Sequence, residues 1–130
     1  MKTRSAILAL LLWAGAVGAT GMPAFDQGRQ LRATDSKRAF VLIEDAAKAG
    51  HAPAMFILSS MLMAGEGTTR DEQRGRQWLE QAASEEYPEA MQQLALFLQD
   101  SAGGYARDEQ RAAQLMRKMG HALKHREHGH

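Results

Sequence analysis

The groups best spaced to do chemistry lie at the C-terminus. In "HALKHREHGH", His121, His125 and His128 stand four and three residues apart, with His130 just beyond. On a continuous helix that spacing puts three imidazoles on one face, a common ligand arrangement for Zn²⁺, Cu²⁺ or Ni²⁺. Residues 121–130 are therefore the candidate metal segment. The competing expectation is a solvated, frayed chain end holding Cu, Ni or Zn only adventitiously, because Gly120 is placed to end a helix before the histidines begin. No other cofactor is expected. Met55, Met61, Met63, Met91, Met116 and Met119 offer thioethers to Cu(I). For Met61, Met91, Met116 and Met119, core filler or adaptable surface is the better reading.

The remaining reactive groups form no catalytic constellation. The chain has no Cys, which removes thiol chemistry and disulfides. Ser59, Ser60, Ser84 and Ser101 stand in no nucleophile-elbow context, and no glycine-rich loop follows a strand. Asp71/Glu72 and Glu85/Glu86 are adjacent carboxylates in polar turns, whereas general acid catalysis wants one carboxyl buried with a raised pKa. No catalytic residue is assigned, and the expectation is a protein that is not an enzyme.

Elements must position whatever these groups do. Lys2 and Arg4 precede an apolar run at 6–17, and small residues follow in "AVGATG". That is the layout of a secretory signal peptide, residues 1–19, with Val17 and Ala19 placing the cut before Thr20. A retained anchor is the alternative, but the run falls short of the ~20 residues of a spanning helix. The expected location is periplasmic or secreted, with no membrane span after cleavage. The full chain carries 16 Lys+Arg against 15 Asp+Glu, and losing Lys2 and Arg4 leaves 14 against 15. That balance gives no support for nucleic-acid binding through bulk charge. The ~110 residues left suffice to bury a core without disulfides.

The pentapeptide "RDEQR" occurs at 70–74 and again at 107–111. Its surroundings repeat too. At an offset of 36, Ala46, Ala47, Ala54, Met55, Leu58 and Leu62 fall on Ala82, Ala83, Ala90, Met91, Leu94 and Leu98. One inserted residue later, Gly67 and Asp71 fall on Gly104 and Asp108 at an offset of 37. A period in the mid-thirties indicates a helical solenoid. Apolar residues spaced three and four apart predict helices over 35–49, 53–63, 69–84, 88–100 and from 108 onward. Pro53 and Pro88 open two of them, and Thr69 with Glu72 gives the spacing of a capping box. Short connections make consecutive helices antiparallel. The expected fold is all-α, a short α-solenoid of about five helices: an N-terminal arm or partial capping helix at 20–33, the solenoid at 34–120 and the tail at 121–130. Trp78 is expected to be the largest buried side chain.

These positions resemble the Sel1-like repeat, a relative of the tetratricopeptide repeat. One copy reads Ala54, Leu58, Leu62, Gly65, Gly67, Asp71, Trp78, Ala82, Ala83; the next reads Ala90, Leu94, Ala95, Leu98, Gly104, Asp108, Ala112, Leu115. A half-copy before them holds Asp35, Ala39, Leu42, Ala46 and Ala47, so the likeness spans roughly 35–119. Ser59 stands where the pattern has Gly, Leu62 and Leu98 replace an aromatic, and Gly75 stands where it has Ala. The resemblance implies a scaffold for a protein or peptide partner, here in the bacterial envelope.

In such a solenoid the first helix of each pair lines the concave face. Counting away from the core positions, Phe56, Ser60 and Met63 point outward from one, and Gln92, Leu96 and Gln99 from the next. Phe56, Met63 and Leu96 would expose apolar surface suited to a partner segment. Alternatively the arm at 22–32 folds over them as a cap.

Overall fold

A computed structural model of the chain describes residues 21–129. The expected signal peptide, its cut before Thr20, and His130 lie outside them. Six helices follow in order: α1 Gly21–Leu31, α2 Ser36–Lys48, α3 Ala52–Ala64, α4 Glu72–Ser84, α5 Pro88–Asp100 and α6 Glu109–His128. Among the described residues there is no strand. The helices pack as three pairs, α1 with α2, α3 with α4 and α5 with α6, and α2 meets α3 as α4 meets α5. That is the expected solenoid with one helix more than expected.

The extra helix is α1. It is neither a loose arm nor a cap over the concave face but the first helix of a complete first pair. Phe25 is buried, and Gly28 lies so close to α2 that a Cβ there would come within 2.9 Å of Ile43 Cγ1. Within 23–31, Phe25, Gly28 and Leu31 mark its packing side.

The repeated pentapeptide acquires a physical account. Asp35, Asp71 and Asp108 are the N-caps of α2, α4 and α6, accepting from the backbone N–H of Arg38, Arg74 and Arg111 at 3.2, 3.1 and 2.9 Å. Thr69, expected as part of a capping box, is not the cap: Asp71 is, and its carboxylate accepts from the third N–H. The closing arginine of each pentapeptide reaches back one pair: Arg74 donates to Glu44 at 3.1 Å, and Arg111 donates to both Glu80 oxygens at 3.1 and 2.6 Å. The opening arginines, Arg70 and Arg107, pair with Glu72 and Glu109. Each charge in the pentapeptide thus has a partner, and both copies make the same set.

The core runs along the axis of the stack, with Ile43, Leu58, Met61, Leu62, Leu79, Met91 and Leu94 fully buried. Trp78 is not among them. It is half-buried on the outer side, in a groove of about 660 Å³ lined also by Ala47, Lys48, Gly50 and Met55, while its neighbour Leu79 takes the interior position. Met61 and Met91 are core filler; Met116 is exposed. The α3–α4 pair closes through an unusual combination. Ser59 is buried with its hydroxyl donating to the Phe56 carbonyl at 2.8 Å, and a Cβ on Gly75 would meet Met63 Cγ at 2.6 Å and the Ser59 carbonyl oxygen at 3.1 Å. In the α5–α6 pair the corresponding positions are Ala95 and Ala112, both buried.

Candidate functional site

The first helices of the three pairs, α1, α3 and α5, carry the candidate binding face. Ser60 on α3 and Gln92, Leu96 and Gln99 on α5 are exposed, and the repeat register sets Phe56, Ser60 and Met63 beside Gln92, Leu96 and Gln99. Leu96 is 43% exposed, an apolar side chain among amides and a hydroxyl. Because α1 pairs with α2, Leu96 stays open to solvent.

Two of the expected residues sit deeper than the helical count implied. Met63 packs into the space Gly75 leaves on α4, so it closes its own helix pair and is only half-exposed. Phe56 leans on Tyr87, ring centroids 5.8 Å apart and tilted by 58°. That contact belongs to a larger arrangement which the sequence reading missed. His51 and Tyr87 occupy the same N-cap position in successive pairs, ahead of α3 and α5. Each meets an aromatic ring on a preceding helix: His51 lies edge-on to Phe25 at 4.5 Å, and Tyr87 is tilted against Phe56. Arginines cover both ends, Arg29 over Phe25 at 5.5 Å and Arg126 over Tyr87 at 5.9 Å. The signal was there in the register, since 51 and 87 differ by one repeat length, but His and Tyr do not read as equivalent until their rings are seen.

Of these rings Phe25 is buried, while His51, Phe56 and Tyr87 are half-exposed. Burial, with the Glu89 carboxylate nearby, pushes the Tyr87 phenol above its ordinary value, so it remains a neutral hydrogen-bonding group. Arg126, at the far end, bridges to Glu89 at 3.3 and 3.4 Å.

The histidines lie on a helix, not on the frayed end that Gly120 was expected to start. Helix α6 does not end at Gly120 but continues to His128, so His121, His125 and His128 ride a continuous helix, all exposed. Among the described residues, no group of three or more His, Asp or Glu side chains is gathered closely enough to hold a metal ion. No helix among them is long and apolar enough to cross a membrane.

Comparison with known proteins fits this geometry. The profile of the Sel1 repeat matches residues 52–87 and 88–121, which are the α3–α4 pair and most of the α5–α6 pair. A chitin synthase regulator, SKT5, of Saccharomyces cerevisiae is 43% identical over 63 residues, which is 48% of this chain and 9% of that protein. The chain thus spans under a tenth of that relative's length. A crystal structure of a Sel1 repeat protein from Oxalobacter formigenes superposes with a TM-score of 0.74 at 23% identity, covering 78% of this chain and 43% of the other. That likeness concerns the fold.

Proposed function

The chain belongs to the Sel1 repeat family, and from that premise we propose an exported scaffold that binds a protein or peptide segment in the bacterial envelope across the face of α1, α3 and α5. Sel1 repeat proteins generally mediate protein–protein interaction. The observation that carries the reading is Leu96, an open apolar side chain between Ser60, Gln92 and Gln99, with the aromatic row Phe25, His51, Phe56 and Tyr87 along one edge. An apolar anchor in a polar, hydrogen-bonding surround is how an interface core begins. The protein works by binding, not catalysis; Asp35, Glu44, Glu66, Asp71, Glu80 and Asp108 are engaged in caps and ion pairs that hold the stack. Export rests on the basic start, the short apolar run and the small residues at 17 and 19.

Photo-crosslinkers placed singly at Ser60, Leu96 and Gln77 test the binding face in the native host. Adducts to one partner from Ser60 and Leu96, absent from Gln77 on the outer side, support it; adducts from Gln77 alone sink it. Mass spectrometry of the same material reads the N-terminus. A chain starting at Thr20 agrees with export, and an intact Met1 in the membrane fraction opposes it.

A second reading, metal binding by the tail, gains one observation: helix continuity through Gly120 sets His121 and His125 one turn apart on an exposed face. Two imidazoles at that spacing form a bidentate site for Cu²⁺ or Ni²⁺.

A further inference from the structure

The repeat supplies its own measure of which surfaces are meant to be covered. In α2, Ile43, Ala46 and Ala47 are buried as α3 packs on that helix; in α4, Leu79, Ala82 and Ala83 are buried as α5 does the same. One repeat further, the matching α6 residues are Met116, Met119 and Gly120. Here Met116 is 40% exposed, and Leu123, one turn beyond, is 39% exposed. Met116, Met119 and Leu123 follow a spacing of three and four, so they form one apolar stripe on a helix of 20 residues. Gly120 beside them has open space where a Cβ would stand, which lets another helix approach closely.

Charge says what kind of helix. Between successive pairs, an acid on the earlier second helix meets an arginine on the later one: Glu44 with Arg74, then Glu80 with Arg111. The next acid in that series would stand at 117, where the chain has Arg117. An arginine arriving from a further unit of the same kind would meet a like charge. Lys124, seven residues on, lies on the same edge as Arg117, and both are exposed. Glu127, one turn past Leu123, limits the basic edge to this central part of the face.

We propose that the α6 stripe of Met116, Met119 and Leu123, edged by Arg117 and Lys124, docks an amphipathic helix of another protein that carries acidic residues along one edge. The docked helix lies along α6 on the side where a further pair would otherwise stack. Its small and apolar residues cover the stripe, and its acids meet Arg117 and Lys124. This surface is separate from the face of α1, α3 and α5.

The test uses the full chain and two synthetic amphipathic helices with one apolar face in common, one edged with Glu and the other with Lys. Fluorescence anisotropy should show the Glu helix binding at least tenfold more tightly. Met116→Gln with Leu123→Gln should abolish that binding, while Val41→Gln, at an exposed apolar position on α2, leaves it unchanged. Arg117→Glu with Lys124→Glu should invert the preference between the two helices. All these positions are exposed, and unchanged circular dichroism melts confirm that the variants fold. No saturable binding of the Glu helix, equal binding of both helices, or loss of preference without inversion overturns the proposal. So does self-association of the chain, seen by analytical ultracentrifugation and dissolved by Leu123→Gln, because a second copy then covers the stripe.

Discussion

Two glycines with positive φ allow the closeness of successive pairs to be measured. Gly50 has φ +94° and nothing within 4 Å of where a Cβ would stand; Gly67 has φ +73° and a Cβ there would lie 2.0 Å from the Ser36 carbonyl oxygen at the start of α2. Gly50→Ala therefore meets only the backbone penalty of the left-handed region, about 1 kcal/mol. The repeat contains its own control, since Glu86 fills the corresponding place in the next pair with φ +58°. Gly67→Ala adds a collision with main chain, which has no rotamer to escape into. The loop is also held from both sides, by Asp71 N–H donating to the Leu62 carbonyl at 2.8 Å and by Arg32 gripping Glu66 at 2.7 Å. Overpacking against such surroundings costs about 1–3 kcal/mol, so the sum is about 3 kcal/mol. Urea unfolding followed by circular dichroism reads the difference. With a slope of about 1.5 kcal/mol per molar, the midpoint falls by about 2 M for Gly67→Ala and by less than about 1 M for Gly50→Ala. Equal losses for the two variants would refute the steric account and mean that the loop at 65–71 is free to move away from α2.

Trp78→Ala should cost about 2 kcal/mol, below the ~3–5 kcal/mol of fully buried aromatics, because the ring lies half in an open groove; a loss above about 4 kcal/mol in the same assay would place it in the interior. The Glu66 carboxyl is held below its usual value of 4.5, first by the Arg32 hydrogen bonds. Its folded value being depressed, the pair stabilises the protein above that range and stops doing so as pH falls through it. Arg32→Met should lower stability at pH 7 by up to about 1 kcal/mol, the two side chains being about a third exposed. At pH 3 the variant and parent should agree more closely, and an equal gap at both pH values would point to lost packing instead. Cu²⁺ titrated onto the chain should bind with affinity on the order of micromolar and be lost in His121→Ala or His125→Ala. A chelator should leave the melting temperature within about 2 °C; a large drop would tie the histidines into the fold.

What the sequence made legible was whatever repeats. Period, pair order, buried alanines and leucines and the acidic helix starts all recur at 36 or 37 residues, and the structure carries each of them. The misses are positions where tertiary contact overrides local pattern. Helix α1 was legible only as an arm or partial capping helix, because a glycine against Ile43 makes part of its contact with α2. Trp78 was expected between its own pair and the next from its place in the repeat, yet Leu79 takes the interior position and the ring lies half-buried in the outer groove. Gly120 looked like a helix stop, but neighbouring residues favour helix and nothing crowds it, so α6 runs through. On the proposed binding face, the exposure of Leu96 was readable from helical counting. The aromatic row was not, because ring-to-ring contact between different helices leaves no trace in either helix's own pattern.

The closure of the α3–α4 pair has a bearing on how such chains change by recombination. Gly75 there lies against Met63 and the Ser59 carbonyl, where the α5–α6 pair has Ala112 in place of Gly75 and Ala95 in place of Ser59. The two solutions fill comparable space but divide it differently between partners. A chimaera in which α6 replaces α4 would bring a methyl against Met63 and the Ser59 carbonyl, and the reverse exchange would leave a gap beside Ala95. Single helices are consequently not interchangeable parts, despite the identical pentapeptide that opens α4 and α6. The heritable module is the hairpin, which can be duplicated or lost whole because its internal fit travels with it.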